Sequence, residues 1–479
     1  MKTLFGIVIS FVLFTAGASN WYVRTNSAGG ATGVDWNNAW SLTNLNSSWG
    51  SVAAGDTVWI SGGTYTVRIN PTNSGSAGNY ITVKRPVAAD STPTSAAGWA
   101  TAFDSQVIIA PPAGGVCYWN TAYGGRYFYF DGRTTNGISL RLANTAGLYY
   151  PGCVEFDYGS QGQGNLVFTN IEMRAPGYAT NLAYAHLSYN GNVSLHSSDG
   201  VGGFYTISNL VFSSCSMGGA ANTFLLSGAQ NFTIEHCELY NNSSSSGDFH
   251  ANLFEYRDSG NVTFRYNVVH DWQVEGFMLY QDSRSKGPLY VYGNVFYNPI
   301  PDTTYSNCCG RIAEAFPNTL GGGQGPIYFF NNTLYNLPYL VFNTSNGGTW
   351  DAASAVTNNI FWTVNPTFAS ITHDYNYANA SLGETNGING TGATPFVNLS
   401  SYNFNLVSNI SSIYPRNKGH SLVSTYNTDP AGNTRGLDGF WDIGAFEYGS
   451  GGGGGGGGET NSIASLTATN INFGTVILR

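Results

Sequence analysis

The stretch that decides the fold is Val262-Thr-Phe-Arg-Tyr-Asn-Val-Val-His-Asp271, because it recurs. Downstream stand Leu289-Tyr-Val-Tyr-Gly-Asn-Val-Phe-Tyr-Asn298, Ile327-Tyr-Phe-Phe-Asn-Asn-Thr-Leu-Tyr-Asn336 and Val356-Thr-Asn-Asn-Ile-Phe-Trp362. Upstream are Leu166-Val-Phe-Thr-Asn-Ile-Glu-Met173, Leu210-Val-Phe-Ser-Ser-Cys-Ser-Met217 and Phe232-Thr-Ile-Glu-His-Cys-Glu-Leu-Tyr240. One column of this alignment reads Ile171, Cys215, Cys237, Asn267, Asn294, Asn332, Asn359, at separations of 44, 22, 30, 27, 38 and 27 residues. A fixed motif at irregular intervals predicts a solenoid whose coils share a core strand and differ in their loops. Alternation of apolar and polar residues makes the shared element a strand. Stacked about 4.8 Å apart, the four asparagines would form an amide ladder inside a dry turn. The column of Met173, Met217, Leu239, Val269, Phe296, Leu334 and Phe361 faces the core; Ala175, Gly219, Asn241, Asp271, Asn298, Asn336 and Thr363 mark a turn.

Composition agrees with extended structure. Of 479 residues, 9% are charged, 15% are aromatic and 62 are glycine, which is poor material for long helices. Eighteen basic against 27 acidic residues give a net charge of −9 without a basic stripe, so a nucleic-acid partner is not expected. Residues 1–18 have a basic start, a short apolar run from Leu4 to Phe14 and small residues after it, and are expected to be a signal peptide. The run is too short to span a bilayer, and no other segment is apolar for long enough. A secreted or cell-surface location is therefore expected, with a monomer as the expected state. The six cysteines match no zinc spacing. Residues 449–460 hold a glycine-rich linker, and 461–479 read as a truncated immunoglobulin-like, choice-of-anchor-like segment.

Two further stretches flank the repeats. Gly55-Asp-Thr-Val-Trp-Ile60 and Gly62-Gly-Thr-Tyr65 follow Asp35-Trp-Asn-Asn-Ala-Trp40, and Asp442-Ile-Gly-Ala-Phe-Glu-Tyr448 stands near the far end. With the repeats between them, residues 19–448 resemble the right-handed parallel β-helix proteins of the pectate-lyase-like superfamily, the last stretch resembling the close of choice-of-anchor types. The resemblance implies an all-β solenoid and a secreted carbohydrate-active protein. Lyases of that superfamily cleave acidic polysaccharides on the outer face of the coils with a Lys, Arg or His base, often with Ca²⁺ held by carboxylates. Hydrolases of the same fold use two or three carboxylates.

Charge is scarce, so its densest cluster, residues 235–286, supplies the candidates. His250, Glu255 and Arg257 lie outside the repeat columns, and Glu255 and Arg257, two apart, share a face of an extended segment. His250 as base, with Arg257 or Arg265 neutralising a uronate, would suit β-elimination. Arg284 and Lys286 are candidate ligands for a substrate carboxylate. The competing reading is structural: Glu235 and Arg265 share a column on neighbouring coils and would pair, and Asp271 would be a turn residue. Tyr240, His270, Tyr297, Tyr335 and Trp362 recur at coil spacing. They would either stack on one another or present a row of rings to sugars, and the second option suits a non-catalytic glycan-binding or adhesive protein. No metal ligands are assigned; an extracellular polysaccharide is the expected partner.

Overall fold

The computed structural model describes residues 17–449 except 113–116, 121–124, 144–151, 157–163, 176–190, 196–206, 228, 243–251, 258, 281–286, 300–310, 317–324, 338–340, 346 and 391–393. Most of the expected signal peptide, the glycine linker and the C-terminal segment lie outside the described residues, as do His250, Arg284 and Lys286.

The repeats wind into a right-handed parallel β-helix. A first sheet of 12 strands and a second of 12 run the length of the rod, and a third of eight closes the cross-section. Every pairing within these sheets is parallel; among the described residues only Phe396–Asn398 and Asn403–Leu406 pair antiparallel as named strands. Each aligned repeat is two strands rather than the one its alternation suggests. Gly260–Arg265, for example, belongs to the first sheet and Val268–Trp272 to the second. The chain bends between them at a residue in the left-handed region. That column is Asn170, Ser214, His236, Tyr266, Gly293, Asn331 and Asn358, with φ between 51° and 66°. A second such corner follows the second sheet at Asn241, Asp271, Asn298, Asn336 and Thr363, which confirms the turn column. Asparagine, aspartate and glycine tolerate this conformation best.

The asparagine ladder is present and longer than expected. The Nδ2 groups of Asn267, Asn294, Asn332 and Asn359 each donate to the Oδ1 of the next member, at 3.1, 2.9, 3.0 and 3.0 Å, the chain ending on Asn376. Asn376 in turn donates to Glu384 at 2.8 Å. Each Oδ1 also accepts the backbone N–H of the preceding member, as Asn332 does from Asn294 at 2.9 Å. All five amides are buried, so these bonds satisfy groups that water cannot reach. At the other end of the column Cys215 and Cys237 are buried free thiols, with Cys237 Sγ accepting the Cys215 N–H at 3.4 Å.

Inside the rod, like residues stack on like. Phe130, Phe168 and Phe212 lie 4.9 and 4.8 Å apart with nearly parallel rings, and Phe224, Phe254 and Phe277 follow at 4.6 and 5.0 Å. The first coil is pinned by Asp56, which accepts from Ser19 N, Trp21 Nε1 and Ala53 N at 2.7 to 2.8 Å. Near the other end, residues 396–448 leave the coil and pack against the outside of the second sheet and, through Tyr426 and Trp441, against Tyr292 and Phe330 of the first. No helix among the described residues is long and apolar enough to cross a membrane.

Candidate functional site

Of the four residues expected to act together, His250 lies outside the described residues, and Arg265 stands on a different sheet from Glu255 and Arg257. Arg265 ends a strand of the first sheet, whereas Glu255 and Arg257 sit on Phe254–Arg257 of the third. The chain turns from one sheet to the other between Arg257 and Gly260, which puts Arg265 on a different face. Arg265 is instead the ion-pair partner of Glu235, through Nε at 2.8 Å and Nη2 at 2.6 Å, and donates to Tyr292 OH at 3.1 Å. Burial opposes its charge, but Glu235 and Tyr292 outweigh burial and hold it firmly protonated.

The ring row is built as a stack rather than as an open platform. Tyr240 and His270 lie 5.4 Å apart with planes at 9°, and His270 and Tyr297 5.1 Å apart at 19°. A ring stacked on both sides offers a sugar only its edge. The C-terminal segment then covers the far half of the row. Tyr402 stacks on Tyr297 at 4.6 Å, Phe404 packs on Tyr335 at 5.8 Å, and Phe396 meets Trp362 edge-on at 6.4 Å. Tyr297 and Trp362 are buried. The row expected to hold substrate is thus reduced to Tyr240 and His270. His270 is itself committed: Nδ1 lies 2.7 Å from Asp271 Oδ2 and Nε2 3.3 Å from Glu238 Oε1. Burial disfavours its charged form, but these two carboxylates prevail and lift its pKa to about 9.

What the structure does bring together lies on the third sheet. Its register carries Glu155, Ser194, Leu225, Glu255, Met278, Glu314 and Asn343 in one row across successive coils. Phe254, Phe277 and Ala313, which precede Glu255, Met278 and Glu314, fill the core, so those three side chains point away from it. Glu255 and Glu314 are nonetheless buried, as is Glu275 at the start of Glu275–Tyr280. Arg311 links two of them, its Nη1 standing 2.6 Å from Glu314 Oε2 and 3.4 Å from Glu275 Oε1. Glu314 Oε1 also accepts from Asn343 Nδ2 at 2.6 Å and from Ser345 Oγ. Burial pushes the Glu314 carboxyl up, but hydrogen bonds from Glu275, Ser345 and Asn343 and the Arg311 charge prevail and hold it below the usual range. Arg257 lies on the same strand as Glu255, opposite Ser227 and Tyr280; its side chain is outside the described residues.

Glu275, Glu314 and Arg311 were not singled out from sequence. A signal existed: Val154-Glu-Phe156, Phe254-Glu-Tyr256 and Ala313-Glu-Ala315 are one pattern, an apolar pair around a glutamate. Glu314 is saturated by Arg311, Asn343 and Ser345, and among the described residues no group of three or more His, Cys, Asp or Glu is placed to hold a metal ion.

Comparison with known proteins places the fold. The crystal structure of pectate lyase Pel9A superposes with a TM-score of 0.54 at 17% identity, over 90% of this chain and 97% of that one. XylC in complex with xylose gives 0.51 at 10% identity, over 90% and 98%. An alginate lyase from Paenibacillus sp. str. FPU-7 gives 0.41 at 12% identity, over 69% and 95%. No family model matches the chain, and no curated protein sequence does. At such identities the likeness is one of fold: the chain is a right-handed parallel β-helix protein.

Proposed function

We propose that this chain is a secreted carbohydrate-active protein that cleaves an extracellular acidic polysaccharide by β-elimination, on the outer face of its third sheet. The observation that carries the reading is the placing of Glu255 and Glu314 in one row of the third sheet, with Arg311 joining Glu314 to Glu275, in a chain with only 9% charged residues. Its likeness in fold to a pectate lyase supports the same reading. Glu255 takes the C5 proton of a uronate whose carboxylate is neutralised by Arg257 on the same strand. The C5–H electrons form the C4=C5 double bond as the C4–O bond breaks, and the leaving oxygen takes a proton from water. Glu314 is fixed beside this position by Arg311, Asn343 and Ser345.

One observation favours a second reading, hydrolysis. Glu255 and Glu314 lie two strands apart with Met278 between them, a backbone spacing of about 9.6 Å. That is near the ~6.5–9.5 Å between carboxyl groups that invert a glycosidic centre. The test is incubation with polygalacturonate, alginate and xylan, following ultraviolet absorbance of an unsaturated product and counting reducing ends in parallel. Elimination yields both signals, and Glu255→Gln should lower them on the order of 100-fold. Reducing ends without absorbance would select hydrolysis; neither signal on any polymer would overturn the assignment.

A further inference from the structure

The outer face of the first sheet carries a row that the candidate site does not use. Thr233, Thr263, Tyr290 and Tyr328 are partners in register on successive coils. Their strand neighbours Phe232, Val262 and Val291 fill the core, so the row points outward, and each of its four members is partly exposed. Tyr290 and Tyr328 stack along the rod at 5.4 Å with planes at 18°. Rings stacked in that direction turn their faces along the axis. Tyr328 covers one face of Tyr290; the other looks back over Thr263 and Thr233, whose side chains are too short to cover it. Two coils of threonine leave a gap about 9.6 Å long in front of the ring. The C-terminal segment braces the coils that carry the ring pair, where Tyr426 meets Tyr292 at 4.9 Å and Phe330 at 5.1 Å, both edge-on.

The recess has hydrogen-bonding groups on its floor and on both flanks. The floor holds the Thr233 and Thr263 hydroxyls. One flank is the pair of Glu235 and Arg265, two residues further along the same strands. Arg265 directs Nε and Nη2 to Glu235 Oε2 and Nη1 to Tyr292 OH. Glu235 Oε1 takes none of these bonds and belongs to a side chain that is 17% exposed. The other flank is an exposed amide ladder, Asn261 Nδ2 donating to Asn231 Oδ1 and Asn231 Nδ2 to Asn209 Oδ1 at 3.3 Å. The two charges cancel within their pair, and what they leave over is an acceptor. A carboxylate or sulfate would be repelled by it, whereas a sugar hydroxyl would donate to it.

We propose that this recess binds a neutral pyranose residue of a polysaccharide, on a face separate from the candidate catalytic one. The pyranose lays a face of C–H groups on the open side of Tyr290, where the ring is electron-rich. Its hydroxyls meet Thr233, Thr263 and Glu235 Oε1, and its edge meets the Asn231 and Asn261 amides. The inference requires binding only and holds whether or not the third sheet cleaves.

The test is affinity electrophoresis of the full chain in native gels containing hydroxyethylcellulose, arabinoxylan, galactomannan or polygalacturonate. At least one neutral polymer should retard the chain, with an affinity that hardly changes with salt. Tyr290→Ala should weaken that binding about tenfold or more, and Tyr290→Phe, which keeps the ring, by less than about twofold. Thr263→Tyr, which extends the stack by one ring and fills the gap, should abolish it. The row already carries tyrosine at 290 and 328, and melting curves show that each variant is folded. Retardation by no neutral polymer would overturn the proposal, and so would parental retardation in both Tyr290→Ala and Thr263→Tyr. Retardation lost in Glu255→Gln and kept in Tyr290→Ala would place the binding on the third sheet and overturn it equally.

Discussion

Replacing Asn332 by alanine tests the stack at its most connected point. Asn332 Oδ1 accepts the Asn294 N–H at 2.9 Å and Asn294 Nδ2 at 2.9 Å, while its Nδ2 donates to Val291 O at 3.0 Å and Asn359 Oδ1 at 3.0 Å. The residue is fully buried, so water cannot replace what is lost. The losses are unequal. Asn294 Nδ2 keeps Phe264 O and Tyr292 O, and Asn359 Oδ1 keeps the Asn332 N–H. The Asn294 N–H loses its side-chain acceptor inside the rod, at about 1–3 kcal/mol for an unsatisfied buried donor. With the smaller cost at Val291 O and Asn359 Oδ1, the total is about 3 kcal/mol. Urea unfolding followed by tryptophan fluorescence reads it as a fall in midpoint at constant slope. The control is Asn231→Gly in the exposed ladder, where Asn231 Nδ2 donates to Asn209 Oδ1 at 3.3 Å and φ is 54°. Glycine tolerates that φ and water replaces the bond, so less than about 0.5 kcal/mol should be lost. If the two variants unfold at the same midpoint, the ladder is ornament and the reasoning fails.

His270, its pKa raised to about 9, contributes stability that is fully present below its unfolded value near 6.5 and lost as pH rises through 9. His270→Gln should therefore remove about 2 kcal/mol at pH 6 and little at pH 10, read as melting temperature against pH. Glu447 is pushed up to about 7, chiefly by burial, with Asp442 adding to it. Its contribution is complete below the usual carboxylate range near 4.5 and fades as pH climbs through 7, so Glu447→Gln should flatten the parental decline in melting temperature over that interval. Gly444→Ala should loosen the C-terminal segment by about 1–2 kcal/mol or more, because Gly444 has φ +103° and a Cβ there would stand 2.5 Å from Ile360 Cδ1. Faster cleavage by protease between residues 396 and 448, with the coil intact, would be the readout.

The parts of the fold that sequence exposed are those where one environment repeats. Inside the rod each coil meets its neighbours in the same way, so Asn267, Asn294, Asn332 and Asn359 are the same solution to the same demand, and their identity survives irregular spacing. The two-strand nature of the repeat was hidden because an apolar-polar alternation continues through a corner, and Tyr266 or His236 does not advertise a left-handed residue as glycine does. The third sheet was less visible still. Its strands recur at unequal sequence intervals, and Glu255 looked like one of many charges in its cluster rather than a row-mate of Glu314. Tyr297, Tyr335 and Trp362 were recognised as a column, but periodicity reports what lies beside a residue and is silent about what lies on top of it. The covering residues, Tyr402, Phe404 and Phe396, come from a part of the chain with no repeat at all.

The unequal coil lengths have an evolutionary consequence. Between Ile171 and Asn359 a turn of the rod consumes anywhere from 22 to 44 residues, yet the pairing passes from strand to strand without a slip. The surplus falls in the sequence between the paired strands, where the hydrogen-bonded stack does not count it. Insertions there leave the scaffold's thermodynamics nearly untouched, so selection can lengthen, trim or rewrite whatever meets a ligand while the asparagine column inherits unchanged.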